Sequence, residues 1–383
     1  MADPVPLPLN DDAADEADVD TREFTTGILP CQTMRDLIAT GDIAAETPIP
    51  EEQIQPASID LRLGPVAYRV RGSFLPGPKN TVRGRLEDFT MHEVDITAGA
   101  VLEKGCVYVV PLQESLSLKR DISGMANPKS STGRLDIFTR VITDYAGEFD
   151  RIPAGYKGPL YAEISPLTFS VKVHTGTRLS QLRLRRGSPP SQESTMRRLH
   201  ERTPLVDGDA DITATGVAFT VNLTGDKDTG LVGYKAKRHA DVIDVEKIGH
   251  YDVLDFWDPI HDRGRKNLTL DIDDFYILAS KEAVSVPPDF AAEMRPYDTF
   301  VGEFRVHYAG FFDPGFGYDA AGGAGSRAVL EVRSHDVPFV LEDGQVVGRL
   351  VYERLTHVPD RLYGVDIGSN YQKQGLKLSK HFK

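Results

Sequence analysis

The chain has 383 residues, 40% of them hydrophobic and 26% charged, with a formal net charge of −13. Length and composition fit a globular protein of two or three domains with a sizeable core. The negative balance excludes a non-specific binder of nucleic acid or acidic membrane, but not a local basic pocket for a small anion. Cys31 and Cys106 are the only cysteines and form no CxxC pair, which argues against a disulfide framework or a structural zinc site. No basic leader precedes an apolar core, and no run approaches the ~18 apolar residues of a membrane span. The expectation is a soluble cytoplasmic protein.

Residues 1–22 are Pro-rich and then acidic, and are expected to form a disordered tail. Between Ile28 and Ile43, the apolar positions Met34, Leu37 and Ile38, with Gly41 behind them, spell a short amphipathic helix. In IQPASIDLRLG (54–64), Ile59, Leu61 and Leu63 alternate with Asp60 and Arg62, the pattern of a half-buried strand. Val66 to Val70 reads as a second strand. CVYVVPL, SLSL, FTRVI, PLYAEI, FSVKV and SQLRLRL follow, each short and bounded by turn residues. Many short strands at close spacing predict an all-β barrel or sandwich. Residues 187–210 are polar, with Pro and Ser, and read as a linker. Strands resume at GVAFTVNLTG, and the single tryptophan, Trp257, is expected to be a packing anchor.

The stretch from Asn127 to Glu163 carries the strongest chemical signal. It opens with KSSTGR (129–134), a run of hydroxyls and cations around one glycine, and ends in LYAEISPL with Glu163. Hydroxyls, backbone amides and cations are what phosphate oxygens require. A carboxylate in an otherwise apolar strand suits a general base, because burial raises its pKa toward working pH. The plain alternatives are an ordinary turn or helix cap for KSSTGR, and for Glu163 a strand carboxylate paired with a cation such as Arg183.

A shift of 168 residues lays one half of the chain over the other. Tyr108 falls on Tyr276, Glu114 on Glu282, Pro128 on Pro296, Glu163 on Glu331, Gly176 on Gly344 and Leu182 on Leu350. The chain therefore reads as two tandem copies of one β-fold. The copies differ where it matters. KSSTGR becomes YDTFVG (297–302), and DPGFG (313–317) is followed by a Gly-rich insertion. The expectation is one competent site in the first copy and a partly degenerate second copy.

Together the motifs resemble those of the dCTP deaminase family of the dUTPase-like superfamily. QPASIDLRLG (55–64), KSSTGR, GYKGPLYAE (155–163) and the tail IGSNYQKQG with Ser379 carry the resemblance, and the two-copy length looks like a longer bacterial form. The resemblance implies a mainly β fold of two tandem dUTPase-like distorted β-barrels (β-clips) with short helices. The copies would span 23–186 and 211–358, followed by a nucleotide-closing tail at 359–383. It implies hydrolytic deamination of dCTP to dUTP and ammonia, with Glu163 as the proton-shuttling carboxylate, Ser130 aligning the water or the leaving amine, and Arg134 stabilising charge. Lys129 and Ser131 would contact phosphate, and Tyr371, Gln372 and Gln374 would close over the nucleotide. It also implies Mg²⁺ bound through the triphosphate, a homotrimer with sites between subunits, and dTTP as a feedback ligand.

The chain departs from the family pattern in three places. Lys129 replaces an arginine, turning a bidentate phosphate contact into a point charge. Pro153 stands where the family has an aspartate for the sugar 3′-hydroxyl, with Asp144, Asp150 or Asp313 as possible substitutes. The tail follows the second copy, which leaves room for a site built from both. No HxE with PCxxC of a zinc deaminase occurs, and His174, His250 and His335 lack ligand spacing. Two other readings are a deaminase that also cleaves dUTP to dUMP, and a nucleotide sensor without turnover. On the first-copy assignment, Glu163→Gln should abolish turnover and Glu331→Gln should leave it nearly unchanged.

Overall fold

A computed structural model of the chain describes residue 20, residues 22–188, 193–296, 304–307, 310–319, 325–364, 367–368 and 375–383. The acidic stretch 1–19 and the tail residues Tyr371, Gln372 and Gln374 lie outside the described residues. The fold is mainly β with short helices. Among the described residues no helix is long and apolar enough to cross a membrane.

Each half contains two main sheets. In the first half one sheet runs through Ile54–Gln55, Ser58–Arg62, Arg178–Arg186, Ile122–Pro128 and Arg151–Ile152. The other runs through Thr90–Asp95, Val66–Val70, Val107–Ser117, Lys157–Pro166 and Ile137–Thr143. The second half has Gly216–Thr220, Val346–Arg354, Phe290–Pro296 and Phe311–Phe312 in one sheet. Its other sheet joins Trp257–His261, Leu231–Ala236, Phe275–Val284, Ser326–Ser334 and Phe304–His307.

The ladders of the two halves coincide under the 168-residue shift. Glu163 pairs with Val109, and Glu331 pairs with Ile277. Leu182 pairs with Ala126, and Leu350 with Met294. Because side chains alternate along a strand, a shared register places Glu163 and Glu331 on equivalent faces of equivalent sheets.

The halves are tightly joined. Val171–Val173 of the first half pairs in parallel with Ile243–Asp244 of the second, in one small sheet with Ala100–Leu102. Trp257 is fully buried and reaches across the seam, its ring centroid 5.5 Å from that of Phe169 and 6.0 Å from those of Phe275 and Phe382. The pairs with Phe169 and Phe382 are edge-to-face and that with Phe275 is tilted, and such packing adds to the area that the rings bury.

Two sequence expectations need correction. The segment read as a linker contains the helix Glu193–Arg202, whose Met196 and Leu199 enter the second core. Two apolar residues three apart suffice to dock a ten-residue helix, and the polar remainder hides them. The strand Ser58–Arg62 is buried on both faces. Its polar face meets partners instead of water: Arg62 Nε donates to Glu114 Oε1 at 2.8 Å, and Asp60 accepts from Lys129.

Candidate active site

KSSTGR leaves the strand Ile122–Pro128 and turns into the short helix Ser130–Gly133. The amides of Thr132 and Gly133 bond back to Lys129 O, and the Thr132 hydroxyl donates to Leu179 O at 2.9 Å. Asp136, at φ 55°, ends the turn in the left-handed region. Its carboxylate accepts from the Thr168 hydroxyl and from Arg333 of the second half. The turn is thus fixed from both halves, with Ser131, Thr132 and Arg134 buried.

The turn forms one wall of a cleft of about 650 Å³, a volume suited to a nucleotide-sized ligand. The first half contributes Asp60, Lys129, Ser130, Ser131, Arg134 and Arg178. The opposite wall comes from the second half, with Phe311, Asp313, Phe316 and Glu331. The C-terminal segment adds Arg361, Tyr363, Lys380 and His381. Burial, and the nearby Lys129 charge, hold the Lys380 ammonium below its ordinary pKa. An anion between the two lysines would relieve that crowding.

Lys129, Ser130, Ser131 and Arg134 come together as expected. Glu163 does not join them. It is buried against Arg140, whose Nε and Nη2 lie 3.1 and 2.5 Å from Glu163 Oε1. The Arg140 guanidinium is stacked on Phe149, 3.4 Å from the ring centroid. Arg140 stands directly opposite Glu163 in the ladder, and neither residue lines the cleft. The cation pairing with Glu163 is therefore Arg140. Arg183, the partner named from sequence, serves Asp313.

The glutamate that faces the KSSTGR turn is Glu331, with Arg134 Nε 4.0 Å from Glu331 Oε1. Burial is the main cause that pushes the Glu331 pKa up to about 8. The Asp136 charge raises it further, while Arg134 and the residue's own backbone amide oppose the shift. Of the candidates for the sugar contact, only Asp313 lines the cleft. Asp144 caps the helix Val82–Phe89 by accepting from Val82 N at 2.7 Å. Asp150 accepts from Val141 N at 2.7 Å, and burial raises it to about 7.

The C-terminus braces the same turn. The Ser379 hydroxyl donates to Ser131 O at 2.8 Å and lies 2.9 Å from His381 Nδ1, while His381 Nε2 is 3.0 Å from Val245 O. Arg134 donates to Lys377 O at 2.9 Å. Asp60, Arg178, Arg361 and Lys380 were not anticipated as site residues. Asp60 and Ser379 sit in motifs that sequence had singled out, whereas Arg178, Arg361 and Lys380 carry no local signal.

Comparison with known proteins places this geometry in a family. Residues 25–188 match the model of the 2′-deoxycytidine 5′-triphosphate deaminase N-terminal domain, and residues 192–382 match that of its C-terminal domain. A crystal structure of 2′-deoxycytidine 5′-triphosphate deaminase from Agrobacterium tumefaciens superposes with a TM-score of 0.84 at 60% identity, covering 87% of this chain and 100% of that one. The chain belongs to the 2′-deoxycytidine 5′-triphosphate deaminase family. Shorter relatives match as well. The dCTP deaminase of Halorubrum lacusprofundi is 32% identical over 160 residues, 40% of this chain and 75% of its own. A dUMP-forming dCTP deaminase of Halobacterium salinarum is 35% identical over 105 residues, 26% of this chain and 49% of its own.

Proposed function

We propose that this chain hydrolyses dCTP to dUTP and ammonia in the cleft between its halves, with Glu331 in the role expected of Glu163. The observation that carries the reading is Glu331 itself: a buried carboxyl with its pKa raised to about 8, 4.0 Å from Arg134 in a cleft that Ser130 also lines. With its pKa raised to about 8, this carboxyl is protonated near neutral pH, so the cycle starts with a proton to give.

The proton balance closes on this one group. Glu331 gives its proton to N3 of cytosine as water adds to C4, and takes a proton from that water. It passes this proton to the 4-amino group, which leaves as ammonia. It then recovers a proton from the C4 hydroxyl as the carbonyl forms. The product is uracil protonated at N3, and Glu331 returns protonated. Ser130 would align the water or the leaving amine, and Arg134 would offset negative charge beside the reacting ring.

Lys129, Ser131, Arg178 and Lys380 would meet the triphosphate, which enters with its Mg²⁺ held by phosphate oxygens. Asp313 would accept from the sugar 3′-hydroxyl, and Tyr371, Gln372 and Gln374 would close over the nucleotide. The two halves are read as tandem dUTPase-like β-clip barrels, a reading supported by their coincident registers. A second reading, continued cleavage to dUMP and pyrophosphate, is favoured by Asp313 in the cleft and by the dUMP-forming relatives. Product analysis with dCTP and Mg²⁺ separates them. Ammonia with dUTP supports the first reading, ammonia with dUMP and pyrophosphate the second, and no ammonia overturns both.

A further inference from the structure

Arg183 belongs to the first half but does its bonding in the second. On the strand Arg178–Arg186, its neighbours Leu182 and Leu184 are fully buried in the first core. Alternation along the strand sends Arg183 the other way, across the seam. There Nη1 donates to Ala292 O at 3.0 Å, and Nη2 donates to Phe312 O at 3.3 Å and to Asp313 Oδ1 at 3.0 Å. The guanidinium carbon lies 4.0 Å from the Phe311 ring centroid.

These contacts converge on one small unit. Ala292 and Phe312 are partners in the ladder between Phe290–Pro296 and Phe311–Phe312, and Asp313 follows directly. One planar fork therefore fixes the backbone on both sides of the ladder and the carboxylate beyond it. The position equivalent to Arg183 in the second half, 168 residues on, is Val351, so the repeat itself does not demand an arginine here. Arg183 is buried and is not among the cleft-lining residues, whereas Phe311, Phe312 and Asp313 are.

We infer that Arg183 is a positioning residue: it aims Asp313 into the cleft, and through it makes the site select nucleotides that carry a sugar 3′-hydroxyl. The inference rests on the nucleotide reading above. A carboxylate discriminates a hydroxyl-bearing ligand from one lacking it only if its free oxygen is held at hydrogen-bond distance and in the right direction. Asp313 Oδ1 is taken by Arg183, which leaves Oδ2 as the oxygen whose direction the fork sets. Lysine would restore the charge but not the fork.

The test compares dCTP with 2′,3′-dideoxy-CTP in the full-length wild type, Arg183→Met and Arg183→Lys. Both turnover and equilibrium binding are read. A charge-assisted hydrogen bond to the 3′-hydroxyl predicts that the wild type prefers dCTP by about 10- to 100-fold. In Arg183→Met that preference should collapse to within about threefold, through a raised KM for dCTP with kcat largely kept, and with the dideoxy nucleotide little affected. Asp313→Ala should show the same collapse, and the double variant should add nothing to it. Equal losses for both nucleotides, or an unchanged preference, would overturn the inference. Should Arg183→Met fail to fold, Arg183→Lys decides: a reduced preference supports positioning by the fork, and a wild-type preference overturns it. Binding separates this inference from the reading it rests on. A collapsed binding preference without ammonia from the wild type would sink the deaminase reading alone, whereas ammonia from the wild type with an intact preference in the variants would sink the positioning role alone.

Discussion

Arg134 of the first half and Glu331 of the second face each other at 4.0 Å, across a seam that separates them by nearly two hundred positions in sequence. At that distance the guanidinium opposes the effect of burial on Glu331 without cancelling it, and the carboxyl titrates near 8. The two residues divide one site between the repeats. The first copy lines the cleft with Lys129, Ser130, Ser131 and Arg134, and the second supplies Glu331.

The raised pKa of Glu331 has a sign in stability. Below its ordinary value of 4.5 the carboxyl is protonated in both folded and unfolded chains, and the favourable contribution is complete. Between 4.5 and about 8 the unfolded chain loses the proton first, so stability declines as pH rises through this window. Glu331→Gln should therefore lose less thermal stability than wild type between pH 5.5 and 9, by an amount on the order of a few kcal/mol. Asp150, raised to about 7, leaves part of the slope in place. Calorimetry across pH checks this, and identical slopes in both proteins would contradict it.

Breaking the Arg140–Glu163 pair should cost stability but not turnover. Glu163→Gln leaves a partly buried guanidinium without its counter-charge, a loss of about 2 kcal/mol after allowing for the solvent that still reaches Arg140. Arg140→Met combined with Glu163→Gln should recover part of that loss. Urea melts of the three variants test the cycle, with kcat/KM for dCTP expected to stay within about threefold of wild type.

Ser379→Ala removes the hydroxyl that ties the C-terminus to Ser131 O. The expected cost is about 1 kcal/mol. It should appear mainly as a higher KM for dCTP, because the turn it braces is the one proposed to meet the triphosphate. Steady-state kinetics would show it, and an unchanged KM would mean that the turn is held by its other contacts.

Both cleft walls come from one chain, so specific activity should not fall on dilution from micromolar to nanomolar protein. Activity that drops with concentration would mean that a neighbouring chain completes the site.

Much of this was legible in the sequence. KSSTGR stands out by residue type and does line the cleft, and the 168-residue shift placed Glu331 beneath Glu163. The shift could not say which of the two carboxylates meets the turn. That depends on how the halves dock, through Trp257, Arg183 and Arg333, and such contacts leave no local pattern. Asp60 was misread for a related reason. A polar residue alternating with apolar ones looks the same whether its face meets water or an ion pair, and here it meets Lys129. The helix Glu193–Arg202 was hidden because only Met196 and Leu199 betray its buried side.

The most direct test of the central claim is to compare Glu331→Gln and Glu163→Gln side by side for ammonia release from dCTP. The account predicts that Glu331→Gln loses turnover by at least about a thousandfold while still binding dCTP, and that Glu163→Gln turns over at close to the wild-type rate. The reverse pattern would return the chemistry to the first copy and contradict a site shared across the seam.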